Sequence, residues 1–91
     1  MTDRRGVMTH RDDVERYPGG LRELAEDLGN MRYDALGRFL DLLAVKMVGD
    51  AAQDEGRGRR RLATALRESA EHLTAAAEAV RRAWRICEPH T

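Results

Sequence analysis

The side chains best suited to binding a metal ion stand near the C-terminus. Cys87 and His90 enclose two residues, a spacing at which a thiolate and an imidazole can share a zinc ion. A structural zinc site needs four ligands, and the remaining histidines, His10 and His72, are distant along the chain. Cys87 also belongs to an apolar repeat, which favours a buried thiol. We therefore predict no metal site and no cofactor.

A second group of possible ligands is formed by Glu68, Glu71 and His72. These residues partly resemble the Glu-x-x-His motif of the di-iron helical bundles, which implies carboxylate and imidazole ligands on inward-facing helices. The spacing here differs, because His72 lies four residues after Glu68 and directly follows Glu71. Few other titratable groups could converge on one point, so the prediction is that the chain is not an enzyme.

Basic side chains are concentrated in the segment GRGRRR, Gly56 to Arg61. Its Arg-Gly-Arg resembles the core of an AT-hook, which implies an extended backbone lying in a DNA minor groove. The proline that follows in that motif is absent here. The alternative, which we prefer, is a solvated or intersubunit charge cluster neutralised by nearby carboxylates, since Asp50, Asp54 and Glu55 precede it. The candidate anion contacts are Arg57, Arg59, Arg60 and Arg61.

Composition favours an all-α fold. Charged residues make up 35% of the 91 residues and aromatic residues only 4%, so leucine, alanine, valine and methionine supply most of the apolar surface. The formal net charge is zero, which argues against a nucleic-acid partner. No apolar run approaches the roughly 20 residues that span a membrane. We expect a cytoplasmic protein with no membrane partner.

The pattern along the chain predicts an antiparallel helical hairpin. Residues 1–17 form a polar N-terminal arm, and residues 18–91 form a single helical domain. Within that domain we predict a helix over about 21–48, a loop over about 49–58 and a second helix over about 59–87. Gly29 and Asn30 predict a bend or short break in the first helix.

The segment from Leu21 to Leu40 is the other candidate for DNA contact. It resembles the bacterial helix-turn-helix family in its first half, where Ala25 and Gly29 occupy the packing and turn positions. This resemblance implies a small DNA-binding regulator. The second half departs from the family, because Ala35 and Arg38 replace the aliphatic residues expected there. A bundle helix is therefore the preferred interpretation.

The last helix carries two parallel seven-residue repeats. Leu66, Leu73, Val80 and Cys87 form one, and Ala63, Ala70, Ala77 and Trp84 form the other. Small residues at this period allow a second helix to approach closely. The predicted contact between the two long helices consists of Leu66, Ala70, Leu73, Ala77, Val80 and Trp84.

The first long helix has an apolar face too wide for one partner helix to cover. Its predicted oligomer interface consists of Leu36, Phe39, Leu40, Leu43 and Met47. Pairing two hairpins into a four-helix bundle covers that face, so we expect a homodimer or a dimer of dimers. Another helical protein is the alternative partner. The sequence thus indicates a small structural or protein–protein interaction module without identifying a specific activity.

Overall fold

A computed structural model describes residues 10–90, with only the backbone of His90. The described chain is helical: α1 spans Leu21–Gly29, α2 Tyr33–Gly56 and α3 Arg60–Cys87, and a short 3₁₀ turn covers Glu88–His90. No strand occurs in the described part, so the all-α prediction is confirmed. Residues 1–9 of the predicted N-terminal arm lie outside the described residues.

The chain groups into two compact units, one ending at Asn30 and one beginning at Met31. The boundary falls between α1 and α2, close to the break that Gly29 and Asn30 predict. The predicted helical domain of residues 18–91 therefore contains the boundary between the two units. α1 and the turns before it belong to the first unit, and α2 and α3 form the second.

In the first unit, Tyr17 fixes the approach to α1. Its hydroxyl donates a hydrogen bond to the Asp27 carboxylate, and this bond raises the pKa of Tyr17 to about 12. A Cβ added to Gly19 would lie 2.8 Å from the Tyr17 ring, so only glycine fits there without a shift. The backbone N–H of Gly20 donates to Glu23 at 3.0 Å, which satisfies one free donor at the start of α1.

The connection between the two long helices is shorter than predicted. The sequence predicts a loop over residues 49–58, but α2 continues to Gly56 and α3 begins at Arg60. The prediction was wrong because Gly49 and Gly56 stay helical, at a cost of about 1 kcal/mol each relative to alanine. Ala51, inside the predicted loop, is buried. Packing of this segment against α3 outweighs the glycine penalty.

Gly58 is the residue that ends α2. Its φ of +81° lies in the left-handed region that glycine tolerates best. Its N–H donates to the Glu55 carbonyl at 3.0 Å, and the Arg59 N–H donates to the Asp54 carbonyl at 2.8 Å. This pair of bonds is the Schellman arrangement, which satisfies free carbonyls at a helix C-terminus. The chain reverses there within three residues, 57–59.

α2 and α3 pack in opposite directions through what we call the small-residue seam. Its members are the only buried residues of the described chain: Gly37, Ala44 and Ala51 in α2, and Ala63, Ala70 and Ala77 in α3. A Cβ on Gly37 would lie 3.5 Å from the Ala77 carbonyl oxygen, so the two backbones are close at that point. The shared seven-residue spacing then places Ala44 opposite Ala70. Side chains as small as alanine and glycine allow two helix axes to approach to the short end of the usual interaxial range of about 8–10 Å.

Candidate interaction surface

The seam divides the α2–α3 pair into two flanks of different chemistry. Because the helices run in opposite directions, residues three positions after a seam residue lie on one flank in both helices, and residues four positions after lie on the other. Asp41 and Arg81 both follow a seam residue by four, and their ion pair shows that these positions meet on one flank. The positions three residues after the seam therefore meet on the opposite flank.

We call the flank that contains the Asp41–Arg81 pair the ionic flank. Its charged residues are Asp41, Glu55, Arg67, Glu78 and Arg81. Asp41 and Arg81 join the helices at 2.7 Å, and Glu55 and Arg67 join them near the turn at 2.6 Å. Hydrogen bonds from Arg81 to Asp41 and then to Glu78 raise the pKa of Arg81. Both bridges are partly exposed to solvent, so each contributes little to stability.

An open cavity of about 700 Å³ lies on the ionic flank. The seam residues Ala44 and Ala70 line it, together with polar and apolar side chains from both helices. Those side chains are Asp41, Val45, Val48, Arg67, Glu71 and Thr74. The cavity exists because alanine fills little space between the helices.

We call the opposite side the apolar flank. It consists of seven half-buried residues: Leu36, Leu40, Leu43 and Met47 from α2, and Leu66, Leu73 and Val80 from α3. Trp84, also half-buried, lies seven residues after Ala77, in line with the alanines of the seam. Phe39, the remaining member of the predicted oligomer interface, lies at its outer edge and is 36% exposed. Three members of the predicted helix–helix contact, Leu66, Leu73 and Val80, thus lie on this flank, whereas Ala70 and Ala77 lie in the seam and Trp84 continues its repeat.

Charges occur at the ends of the apolar flank. At the end where α2 begins, the guanidinium of Arg32 lies over the indole of Trp84, 5.5 Å from the ring centroid, and pairs with Asp34 at 2.6 Å. At the turn end, Asp50 pairs with Lys46 at 2.7 Å. The middle of the flank carries none of the described ion pairs.

The α2 side of the seam was missed by sequence reasoning. Gly37, Ala44 and Ala51 repeat at the same seven-residue period as the alanines of α3, and this shared period is the signal that could have identified them. It is obscured because large apolar residues surround α2 on most sides. A helix that is apolar nearly all round is usually buried in a protein core.

Large apolar side chains are left without full cover throughout the described chain. None is fully buried, although leucine, valine, isoleucine and phenylalanine are the residues most often buried in folded domains. On α2, Leu42 is 63% exposed and Val45 is 68% exposed, and Val48 is 49% exposed. The other exposed large apolar residues are Val14, Leu21, Tyr33, Phe39, Leu62 and Ile86. Packing against α3 therefore leaves large apolar side chains of α2 exposed.

The arginine cluster surrounds the turn between α2 and α3. Arg59 pairs with Asp54 at 3.3 Å, whereas Arg57, Arg60 and Arg61 make no ion pair with any residue from 10 to 90. The backbone from 57 to 59 is a tight turn, so the extended geometry implied by the AT-hook resemblance is wrong. The prediction that carboxylates neutralise this cluster holds, among these four arginines, for Arg59.

The candidate metal ligands do not converge in the described structure. Cys87 is a half-buried free thiol, and the side chain of His90 lies outside the described residues. Glu68, Glu71 and His72 are exposed along α3. Among residues with described side chains, no three His, Cys, Asp or Glu residues form a group that could hold an ion.

Ala25 and Gly29 lie in α1, a helix without buried residues, and Ala25 is exposed. In the helix-turn-helix family that alanine is a packing position.

Of the helices that the structure describes, none is long and apolar enough to cross a membrane. Comparison with known proteins found no family model, no curated protein and no solved structure that matches this chain.

Proposed function

We propose that this protein is a small structural or protein–protein interaction module, and that its partner is a second copy of itself. The antiparallel hairpin of α2 and α3 pairs across the apolar flank with the same flank of the second copy, giving a four-helix bundle. The observation that carries this proposal is the composition of the core, because the buried residues of the described chain are alanine and glycine alone. The module needs no cofactor and catalyses no reaction.

The size of the apolar flank supports this role. α2 has 24 residues and is therefore about 36 Å long. Two adjacent helices present a face about 15–20 Å wide, so the flank offers roughly 600 Å² per copy. Two such faces bury about 1,200 Å², the lower edge of the range for specific interfaces. Left exposed, a patch of this size favours aggregation.

Replacement of Leu40 and Leu43 by glutamate tests the proposal. Two carboxylates without partners would enter the interface, so we expect sedimentation to shift from dimer or tetramer to monomer, with some loss of helicity. The matched control replaces Leu42 and Val45, which lie on the same helix outside the apolar flank, by glutamate. This control should retain the dimer. A wild-type protein that sediments as a monomer at micromolar concentration would refute self-association.

A DNA-binding regulator is the competing proposal, and it rests on Arg57, Arg60 and Arg61, which have no carboxylate partner in the described chain. Binding through phosphate contacts would weaken steeply as the salt concentration rises. Retention of random duplex DNA, measured over a salt series, distinguishes the two proposals. Salt-sensitive binding that disappears when the arginines become glutamine would favour the regulator. A different helical protein bound by a monomeric chain would favour the alternative partner.

A further inference from the structure

Resting on the self-association proposed above, we infer that the dimer has a twofold axis running across the helices, from α2 to α3. In this arrangement α2 lies on α2 of the second copy and α3 on α3, each pair in opposite directions. The two turns then lie at opposite ends of the bundle. The other face-to-face arrangement has its axis along the helices, places α2 against α3 of the second copy and brings both turns to one end.

The spacing of the apolar residues on α2 is the same read from either end. Leu36, Leu40, Leu43 and Met47 are separated by four, three and four residues. A twofold axis between positions 41 and 42 places Leu36 opposite Met47 of the second copy, and Leu40 opposite its Leu43. A self-complementary surface of this kind is what an isologous contact requires. The arrangement with its axis along the helices makes no use of this symmetry.

The apolar residues of α3 have a centre of symmetry at nearly the same level along the bundle as the centre on α2. Leu66 and Val80 lie seven residues on either side of Leu73, and Cys87 continues the repeat beyond this symmetric set. The seam, which places Gly37 opposite Ala77, sets the point between residues 41 and 42 level with the point between residues 72 and 73. The two centres differ by half a residue, or about 0.75 Å. One axis therefore satisfies both helices.

The charges at the ends of the apolar flank agree with this axis. Arg32 lies at one end and Asp50 at the other, nearly the same distance from the point between residues 41 and 42. Opposite orientation of the copies brings each Arg32 level with Asp50 of the second copy. The alternative arrangement gathers Arg57, Arg60 and Arg61 of each copy, which make no ion pair in the described chain, at one end, where like charges repel.

Distances between spin labels test the orientation in the full-length protein. A nitroxide on Arg57→Cys, in a Cys87→Ser background, should give an interspin distance of about 45 Å, since position 57 lies about 23 Å along α2 from the axis. A label on Leu42→Cys lies beside the axis and should give about 20 Å, which serves as the matched control for a measurable short distance. A distance near 20 Å at position 57 would overturn the orientation.

A charge-reversal pair provides an independent test. Arg32→Asp and Asp50→Arg should each weaken dimerisation about five- to tenfold, because the twofold axis repeats the change at both ends. The combined variant should regain most of that loss. Within one chain these positions are about 27 Å apart along α2, so recovery requires contact between copies. If the combined variant weakens dimerisation by the product of the two single-variant factors, the orientation is overturned.

The outcomes of these experiments separate the orientation from the proposed function. A dimer with a short distance at position 57 leaves self-association intact and refutes the axis. A wild-type protein that stays monomeric at the labelling concentration refutes both. A dimer with the long distance and the recovered affinity supports both.

Discussion

The two flanks of the α2–α3 pair share one seam and one period, yet they have opposite chemistry. On the ionic flank, Asp41, Glu55, Arg67 and Arg81 follow seam residues by four positions and bridge the helices. On the apolar flank, the residues three positions after the seam are leucine, methionine and valine, except at the turn end, where Asp54 pairs with Arg59. A shift of one position along each helix thus separates a flank joined by ion pairs within one chain from a flank whose large apolar side chains stay half-buried.

This difference assigns separate tasks to the flanks. Exposed ion pairs contribute little to stability, but they favour one alignment of the two helices over others. The apolar flank has no such internal pairing, and covering it with a second copy removes large apolar side chains from water, the main favourable term in association. We expect substitutions on the ionic flank to affect the single chain weakly and those on the apolar flank to affect association strongly.

Enlarging a seam residue should have the largest effect, because it disrupts both flanks together. Ala70 is 4% exposed, and Ala70→Leu would force α2 and α3 apart. We expect a loss of about 1–3 kcal/mol in the free energy of unfolding, measured by urea denaturation. Ala75→Leu, on the exposed side of α3, is the matched control and should change stability by less than about 0.5 kcal/mol. Equal effects would contradict the seam.

Truncating the apolar flank should have the next largest effect. Leu73→Ala removes a half-buried side chain that would be covered in the dimer. We expect a loss of about 1–2 kcal/mol per chain, and the transition should depend on protein concentration because unfolding and dissociation are coupled. Leu42→Ala, at a position already 63% exposed, is the comparison variant. A denaturation midpoint that does not vary with protein concentration would count against a dimer.

Neutralising the ionic flank should have a smaller effect that depends on salt. Asp41→Asn removes the carboxylate that pairs with Arg81 at 2.7 Å. The loss in the free energy of unfolding should be smaller than that of Leu73→Ala at low ionic strength and should decrease as salt screens the charges. Denaturation curves at two salt concentrations measure it. Sedimentation of this variant should still show a dimer, and dissociation would show that the ionic flank takes part in the interface.

Changing Arg57, Arg59, Arg60 and Arg61 to glutamine should have the smallest effect. Only Arg59 among them has an ion pair within the described chain, and glutamine preserves most of the helix propensity. Circular dichroism should show nearly unchanged helical content. A large loss of helix would mean that the cluster is needed to join α2 and α3.

The sequence was sufficient for the all-α fold, because the apolar residues from Leu21 onward recur at three- and four-residue intervals and alanine and leucine dominate α3. The position of the turn was not predictable from composition. Gly49, Gly56 and Gly58 look equivalent in the sequence, but the burial of Ala51 keeps Gly49 inside the helix, and Gly58, with its positive φ, ends it. The apolar residues of α2 and α3 can be identified from their spacing in the sequence, whereas the division into an apolar and an ionic flank depends on the register of the seam, which the structure supplies.

The small-residue seam also constrains how the length of this protein can vary. Adding seven residues to α2 and seven to α3 would extend the seam by one repeat and leave every flank residue on its own side. An insertion of one residue rotates everything beyond it by about 100 degrees, and would turn leucines into the ionic flank and charges into the apolar one. Related chains that keep this architecture should therefore differ in the lengths of these two helices by paired multiples of seven, with other insertions confined to the turn.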